Sequence, residues 1–184
     1  MLTELVAAVA AAPGAGLRAD LAASEDIWTY DRVPGRRLLF PFDVENLPRG
    51  TVQLDFVFNE HLPEAPSIVE IPPLGTTMPA ATPSLSLAWK LQWLVTDWHP
   101  QGKDRYDAML LAEYTTVPLD LVRELVRPEI GDRADDLTAE SVLTLAHPID
   151  WDNFRGEYPG IVGDPMSWQG RLAEALARAW RSTP

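Results

Sequence analysis

Apolar residues alternate along much of the stretch from Ile27 to Ile71, and after Ser84 they recur every three to four positions. The run GRRLLFPF, residues 35–42, predicts a strand, closed by the turn-like DVENLPRG. TVQLDFVF, residues 51–58, predicts a second strand, with Val52, Leu54, Phe56 and Phe58 on one face and Gln53, Asp55 and Val57 on the other. Together they predict an antiparallel hairpin with an eight-residue connection. The proline-rich passage HLPEAPSIVEIPPLGTTMPAATP is expected to cross from this sheet to the second half.

Beyond it the period is helical. Ser84 is placed to N-cap a helix running to about Asp97, with Leu87, Leu91, Leu94 and Val95 as its apolar stripe. His99-Pro100 and Gly102 break it. A second helix is expected from about Lys103 to Glu113, with Tyr106, Leu110 and Leu111 at core spacing. Pro118 suits the first turn of a third, residues 136–140 open a fourth, 151–165 read as irregular, and Pro165 to Arg181 as a closing amphipathic helix. At the start, MLTELVAAVAAA predicts a short helix ending at Pro13-Gly14. The fold class is α+β, a small mostly antiparallel sheet in residues 1–82 followed by a helical bundle in 83–184.

Composition narrows the picture. With 184 residues, 46% hydrophobic and 23% charged, the chain suits one domain or two small lobes sharing a core. Cysteine is absent, which excludes disulfides, thiolate metal sites and cysteine nucleophiles and fits a cytoplasmic protein. The apolar N-terminus is too short to span a bilayer, and with Glu4 and no basic flank it does not read as a signal peptide. A formal charge of −12 argues against a uniformly nucleic-acid-binding surface. The cluster Arg32, Arg36, Arg37 and Arg49 leaves room for a local basic groove.

Two places carry candidate chemistry. Asp55 sits mid-strand between bulky apolar residues, so its carboxylate needs solvent, a cation or a metal. A solvated face of a two-sided sheet and a functional carboxylate both satisfy that need. The second place gathers the chain's only two lysines, Lys90 and Lys103, around QGKDRYD. Two antiparallel helices would let Lys90 approach Asp107, and Asp104 and Asp107 share a helix face. A capped helix start with a surface ion pair accounts for the same spacing. His61, His99 and His147 lack ligand spacing, Trp89, Trp93 and Trp98 read as packing residues, and neither phosphate-loop nor nucleophile-elbow motifs occur.

PGRRLLFPF, GTVQLDFVFNE, SLAWKLQWL and QGKDRYDAMLLAE, spanning residues 25–130, resemble the later half of AbiEii-type nucleotidyltransferase toxins, which include the MenT toxins of the polymerase-beta nucleotidyltransferase superfamily. QGKDRYD resembles the family's R-x-K-D-x-x-D motif with Gln101 in place of the arginine. The resemblance implies that Asp55 is a metal carboxylate for Mg2+. It implies that Lys90, Lys103, Gln101 and Arg37 face a nucleoside triphosphate, and that Asp104 and Asp107 join Asp55 and Lys90 in the catalytic constellation. The implied reaction is displacement at the α-phosphate, passing a nucleotide to an RNA such as a tRNA acceptor end. A cognate antitoxin is the implied partner.

The family's first motif, a Gly-Ser turn followed by D-x-D on the preceding hairpin, is read as missing from the whole chain, and the position two after Asp55 is Val57. The expectation is therefore an N-terminally incomplete chain, inactive in transfer as it stands, whose TVQLDFVF strand lacks a neighbour and invites self-association. The competing expectations are a non-catalytic remnant that binds protein or RNA, and a plain α+β domain whose lysines are structural.

Overall fold

The alternation around Leu38, Leu54 and their neighbours becomes a three-stranded antiparallel sheet in a computed structural model that describes all residues except 1, 13, 15, 30–32, 73–74, 145–147 and 182–184. The stop at Pro13, His147 and Arg32 thus lie outside the described residues. The chain divides into two compact units, Met1–Leu62 and Pro63–Pro184.

The first unit opens with helix α1 (Leu2–Ala10) and a single 3-10 turn at Ala19–Leu21, followed by β1 (Ala23–Thr29), β2 (Val33–Phe42) and β3 (Gly50–Val57) in the order β1-β2-β3. The hairpin expected from GRRLLFPF and TVQLDFVF is β2–β3, with Leu38 opposite Leu54 and Phe40 opposite Val52. Because the side-chain period is two, this register puts Leu38 and Phe40 on a buried face and Arg37, Gln53 and Asp55 on the other. β1 begins earlier than the alternation suggested, at Ala23.

The second unit begins where only a crossing was expected. Ser67–Ile71 (β4) and Thr76–Ala80 (β5) form a two-stranded antiparallel hairpin, turned at Gly75 with φ +62°. Helix α2 spans Pro83–Thr96. Its N-cap is Thr82 rather than Ser84: the Thr82 hydroxyl accepts from Leu85 N at 3.0 Å and donates to Glu64 at 2.6 Å, with Pro83 in the first turn. Next come α3 (Gly102–Tyr114), α4 (Leu119–Ile130), a 3-10 turn at Gly131–Ala134, α5 (Ala139–Thr144), α6 (Trp151–Glu157) and α7 (Pro165–Arg181). Helix α6 replaces the irregular passage expected there. Asp150 caps it, its carboxylate accepting from Asn153 N at 2.9 Å.

The helical core gathers Leu87, Leu91 and Leu94 of α2, Met109 of α3, Val122 and Val126 of α4, and Trp168, Leu172 and Leu176 of α7. Tyr106, Trp151, Phe154 and Trp168 stack edge-on or tilted at 5.0–5.9 Å, tying α3, α6 and α7 together. Of the stripe expected on α3, Tyr106 and Leu111 pack against the core and Leu110 does not. Gly102, Arg105, Ala108 and Met109 are buried, whereas Leu110 is 44% exposed. Trp98 also stands outside the core, 74% exposed at the end of α2. The architecture is α+β.

Candidate functional site

The candidate residues fall into two charged clusters, one in each unit. In the first, adjacent strands place Glu25 opposite Arg37 and Arg37 opposite Asp55, so three charges form a row across the sheet. Arg37 donates from Nε to Asp55 Oδ1 at 2.8 Å and from Nη2 to Oδ2 at 3.0 Å, and its Nη1 reaches Glu25 at 3.3 Å. Gln53 donates to Asp55 Oδ2 at 3.0 Å. The bonds from Arg37 hold the Asp55 carboxyl below the usual carboxylate range, and Asp55 in turn raises the Arg37 guanidinium.

A divalent cation fits this donor set poorly. The oxygens of Asp55 already accept three N–H bonds, one partner being a full positive charge. Among the described residues no group of three or more His, Asp or Glu side chains could hold a metal ion. The chain does hold one D-x-D triplet, contrary to the reading above: Asp150-Trp151-Asp152 lies at the start of α6 rather than on a strand, and Asp150 is spent as its cap.

In the second unit, helices α2 and α3 run side by side and converge four of the candidate side chains. Lys90 Nζ lies 2.7 Å from Asp104 Oδ1 and 3.2 Å from Asp107 Oδ2, and Lys103 Nζ lies 3.1 Å from the same Asp107 oxygen. Lys90 and Asp104 are sequestered, 16% and 15% exposed, while Lys103 keeps 44% of its side chain open. The Lys90 ammonium also stands 4.7 Å over the Trp93 ring. The Asp107 bond, followed by the Asp107 and Asp104 charges, raises the Lys103 ammonium against the opposing effect of burial. Asp104 occupies the first turn of α3, where the helix dipole favours an anion. Gln101 is the N-cap of α3 without a side-chain capping bond, and its backbone bridges to Asp150. Asp55 and Arg37 thus belong to the first unit, and Lys90, Gln101, Lys103, Asp104 and Asp107 to the second.

Sequence reasoning did not single out several residues here. Trp93 is one turn from Lys90 on α2, a spacing that could have suggested the cation–π contact. Arg105, inside QGKDRYD, is 4% exposed, its Nε has no hydrogen-bond partner, and desolvation lowers its pKa. Arg171 of α7 forks onto Glu113 of α3 at 2.7 and 2.6 Å, a pairing across 58 residues that no local signal announces.

The family model for the nucleotidyl transferase AbiEii toxin of type IV toxin–antitoxin systems matches residues 1–178. The chain therefore belongs to the AbiEii nucleotidyltransferase toxin family. The match is wider than the residues 25–130 on which the resemblance was read. Searches of curated proteins and of solved structures found no match.

Proposed function

We propose that this chain recognises a nucleoside triphosphate, the donor in its family's nucleotide transfer to an RNA acceptor such as a tRNA end, through Lys90, Lys103, Asp104 and Asp107. The observation that carries the reading is the shared Asp107 carboxylate, which holds a sequestered and an exposed lysine 3.2 and 3.1 Å away. Lys90 fixes the two carboxylates in place, and Lys103 presents its remaining N–H donors outward. Gln101, at the N-terminus of the same helix, is the other proposed phosphate contact of this unit, and Arg37 is proposed separately as a phosphate contact of the first unit. Asp55 is the proposed metal carboxylate, and in that role it would have to exchange Arg37 and Gln53 for Mg2+. The described residues group no further ligands beside it, so this reading has the chain bind the triphosphate without transferring it.

The second reading, a non-catalytic module for protein or RNA, is favoured by that same commitment of Asp55 to Arg37. A cognate antitoxin is the partner that the family suggests, and cytoplasmic residence is part of the proposal. No helix of the described residues is long and apolar enough to cross a membrane.

Equilibrium dialysis with α-labelled ribonucleoside triphosphates and magnesium tests the first reading, alongside label transfer to tRNA. The expected result is saturable binding that Lys103→Ala abolishes, with no label on the tRNA. An absence of binding by the unaltered chain would overturn the site. Robust transfer that Asp55→Ala abolishes would overturn the assignment of a chain that binds without transferring.

A further inference from the structure

Along helix α3 the face that carries the Lys103–Asp107 ion pair continues into apolar residues that no ion pair uses. Lys103, Asp107, Leu110 and Tyr114 follow one another at spacings of four, three and four residues, hence along one face. Lys90, Asp107, Leu110, Leu111 and Tyr114 line a groove of about 480 Å³. Leu110 is 44% exposed and Tyr114 87% exposed. A tyrosine that open at the end of a helix contributes almost nothing to packing, and neither it nor Leu110 joins the core face of α3.

Resting on the reading given under Proposed function, we infer that this groove takes the planar base of the nucleotide, stacked on Tyr114 and Leu110, with the phosphates directed toward Lys103. The chemistry along the stripe changes in the order that a nucleotide requires. An ammonium lies near the positive end of the helix, a carboxylate capable of accepting from a sugar hydroxyl follows, and an apolar floor with an aromatic ring comes last. From Lys103 to Tyr114 the helix rises about 16 Å, on the order of the length of an extended nucleoside triphosphate from terminal phosphate to base. The volume accommodates one nucleoside and no duplex. Stacking on an aromatic ring tolerates every base, so the groove confers affinity for nucleotides over bare polyphosphate without strong base choice.

The test compares a ribonucleoside triphosphate with inorganic tripolyphosphate by calorimetry, on the unaltered chain and on Tyr114→Ala. Tyr114 is exposed, so the variant keeps its fold. The expected result is nucleotide binding about tenfold tighter than tripolyphosphate, with that advantage lost in the variant and tripolyphosphate affinity unchanged. Equal affinity of the unaltered chain for the two ligands, or an advantage that survives Tyr114→Ala, overturns the groove while leaving the lysine site intact. Failure of both ligands to bind overturns the lysine site itself. Sedimentation of both proteins is the remaining arm. A dimer that Tyr114→Ala converts to monomer, with no nucleotide preference to lose, would make the groove a contact between copies and overturn the inference.

Discussion

Arg37 and Asp55 face each other across neighbouring strands and close a two-bond fork, Nε on Oδ1 at 2.8 Å and Nη2 on Oδ2 at 3.0 Å. The bidentate geometry orients both planar groups, so the guanidinium occupies the space where a cation bound to this carboxylate would sit. Arg37→Ala is therefore expected to raise the affinity of the chain for Mn2+, read by paramagnetic resonance, and Arg37→Ala with Asp55→Asn to cancel that gain. Unchanged Mn2+ binding in the single variant would show that Asp55 attracts no metal even when released.

Lys90 neutralises two carboxylates from a largely sequestered position, whereas Lys103 is half open. Removing the charge at Lys90 leaves Asp104 and Asp107 close together with one compensating cation. Lys90→Met is expected to cost about 2–3 kcal/mol, below the range for a fully buried pair because Asp107 keeps some solvent. Lys103→Ala should cost under about 1 kcal/mol, as exposed pairs do. Urea denaturation of the two variants checks the order, and equal losses would refute the distinction.

Two helical glycines give opposite expectations for the same substitution. A Cβ on Gly102 would lie 2.7 Å from Phe154 Cβ and 2.9 Å from Trp151 Cε3, and neither neighbour is the end of a flexible chain. Helix α6 must then shift from α3, and Gly102→Ala should destabilise by about 1–3 kcal/mol despite its better helix propensity. Gly170 of α7 has nothing within 4 Å, so Gly170→Ala should stabilise by roughly 0.5–1 kcal/mol. Thermal unfolding decides both.

The Glu113–Arg171 fork sets a pH dependence. The hydrogen bonds from Arg171 lower the folded pKa of Glu113 from its ordinary 4.5. A depressed folded pKa means that the stabilisation is present above pH 4.5 and disappears as the pH falls through the lower folded value. Glu113→Gln should consequently flatten the loss of stability on acidification below pH 4.5 and leave the slope near neutrality unchanged. Denaturation midpoints collected across that window would reveal the difference. An identical acid limb in both proteins would mean that the pair does not persist in solution.

β1 and β3 are the two edge strands of the three-stranded sheet. β3 presents Val52 38% exposed, with no fully buried residue along its length. An edge of this kind pairs readily with another chain. Concentration-dependent self-association is expected in analytical ultracentrifugation, weakened by Val52→Lys. A monomer that persists at tens of micromolar (on the order of a weak interface's dissociation constant) would set the expectation aside.

Legibility in the sequence followed the strength of the local signal. Leu87, Leu91, Leu94 and Val95 all lie buried on α2, because a stripe that regular admits one helix face. The facing of Arg37 and Asp55 followed from the period of two once β2 and β3 were paired. Thr82 displaced Ser84 as the cap because Pro83 fixes the first turn, a local rule that was on view in TPS. The β4–β5 hairpin escaped notice behind six prolines in the passage, although Gly75 marks its turn and Pro79 sits in an otherwise extended run. Helix α6 was hidden by its brevity, with only Asp150 and Asn153 to announce it. Arg171 on Glu113 and the buried Arg105 depend on tertiary neighbours far along the chain, and no period of the sequence encodes them.

Trp180 Nε1 donates to the carbonyl of Val117 at 2.9 Å, and Trp168, Leu172 and Leu176 complete the core that α2 and α3 begin. On the ribosome this order has a temporal meaning. Glu113 is synthesised 58 residues before its partner Arg171, an interval of about 3–12 s at ordinary elongation rates. Throughout that interval α3 exists without the helix that packs against it. Lys90, Lys103, Asp104 and Asp107 meet between α2 and α3 alone, but the core that supports their surface closes only after translation has passed α7.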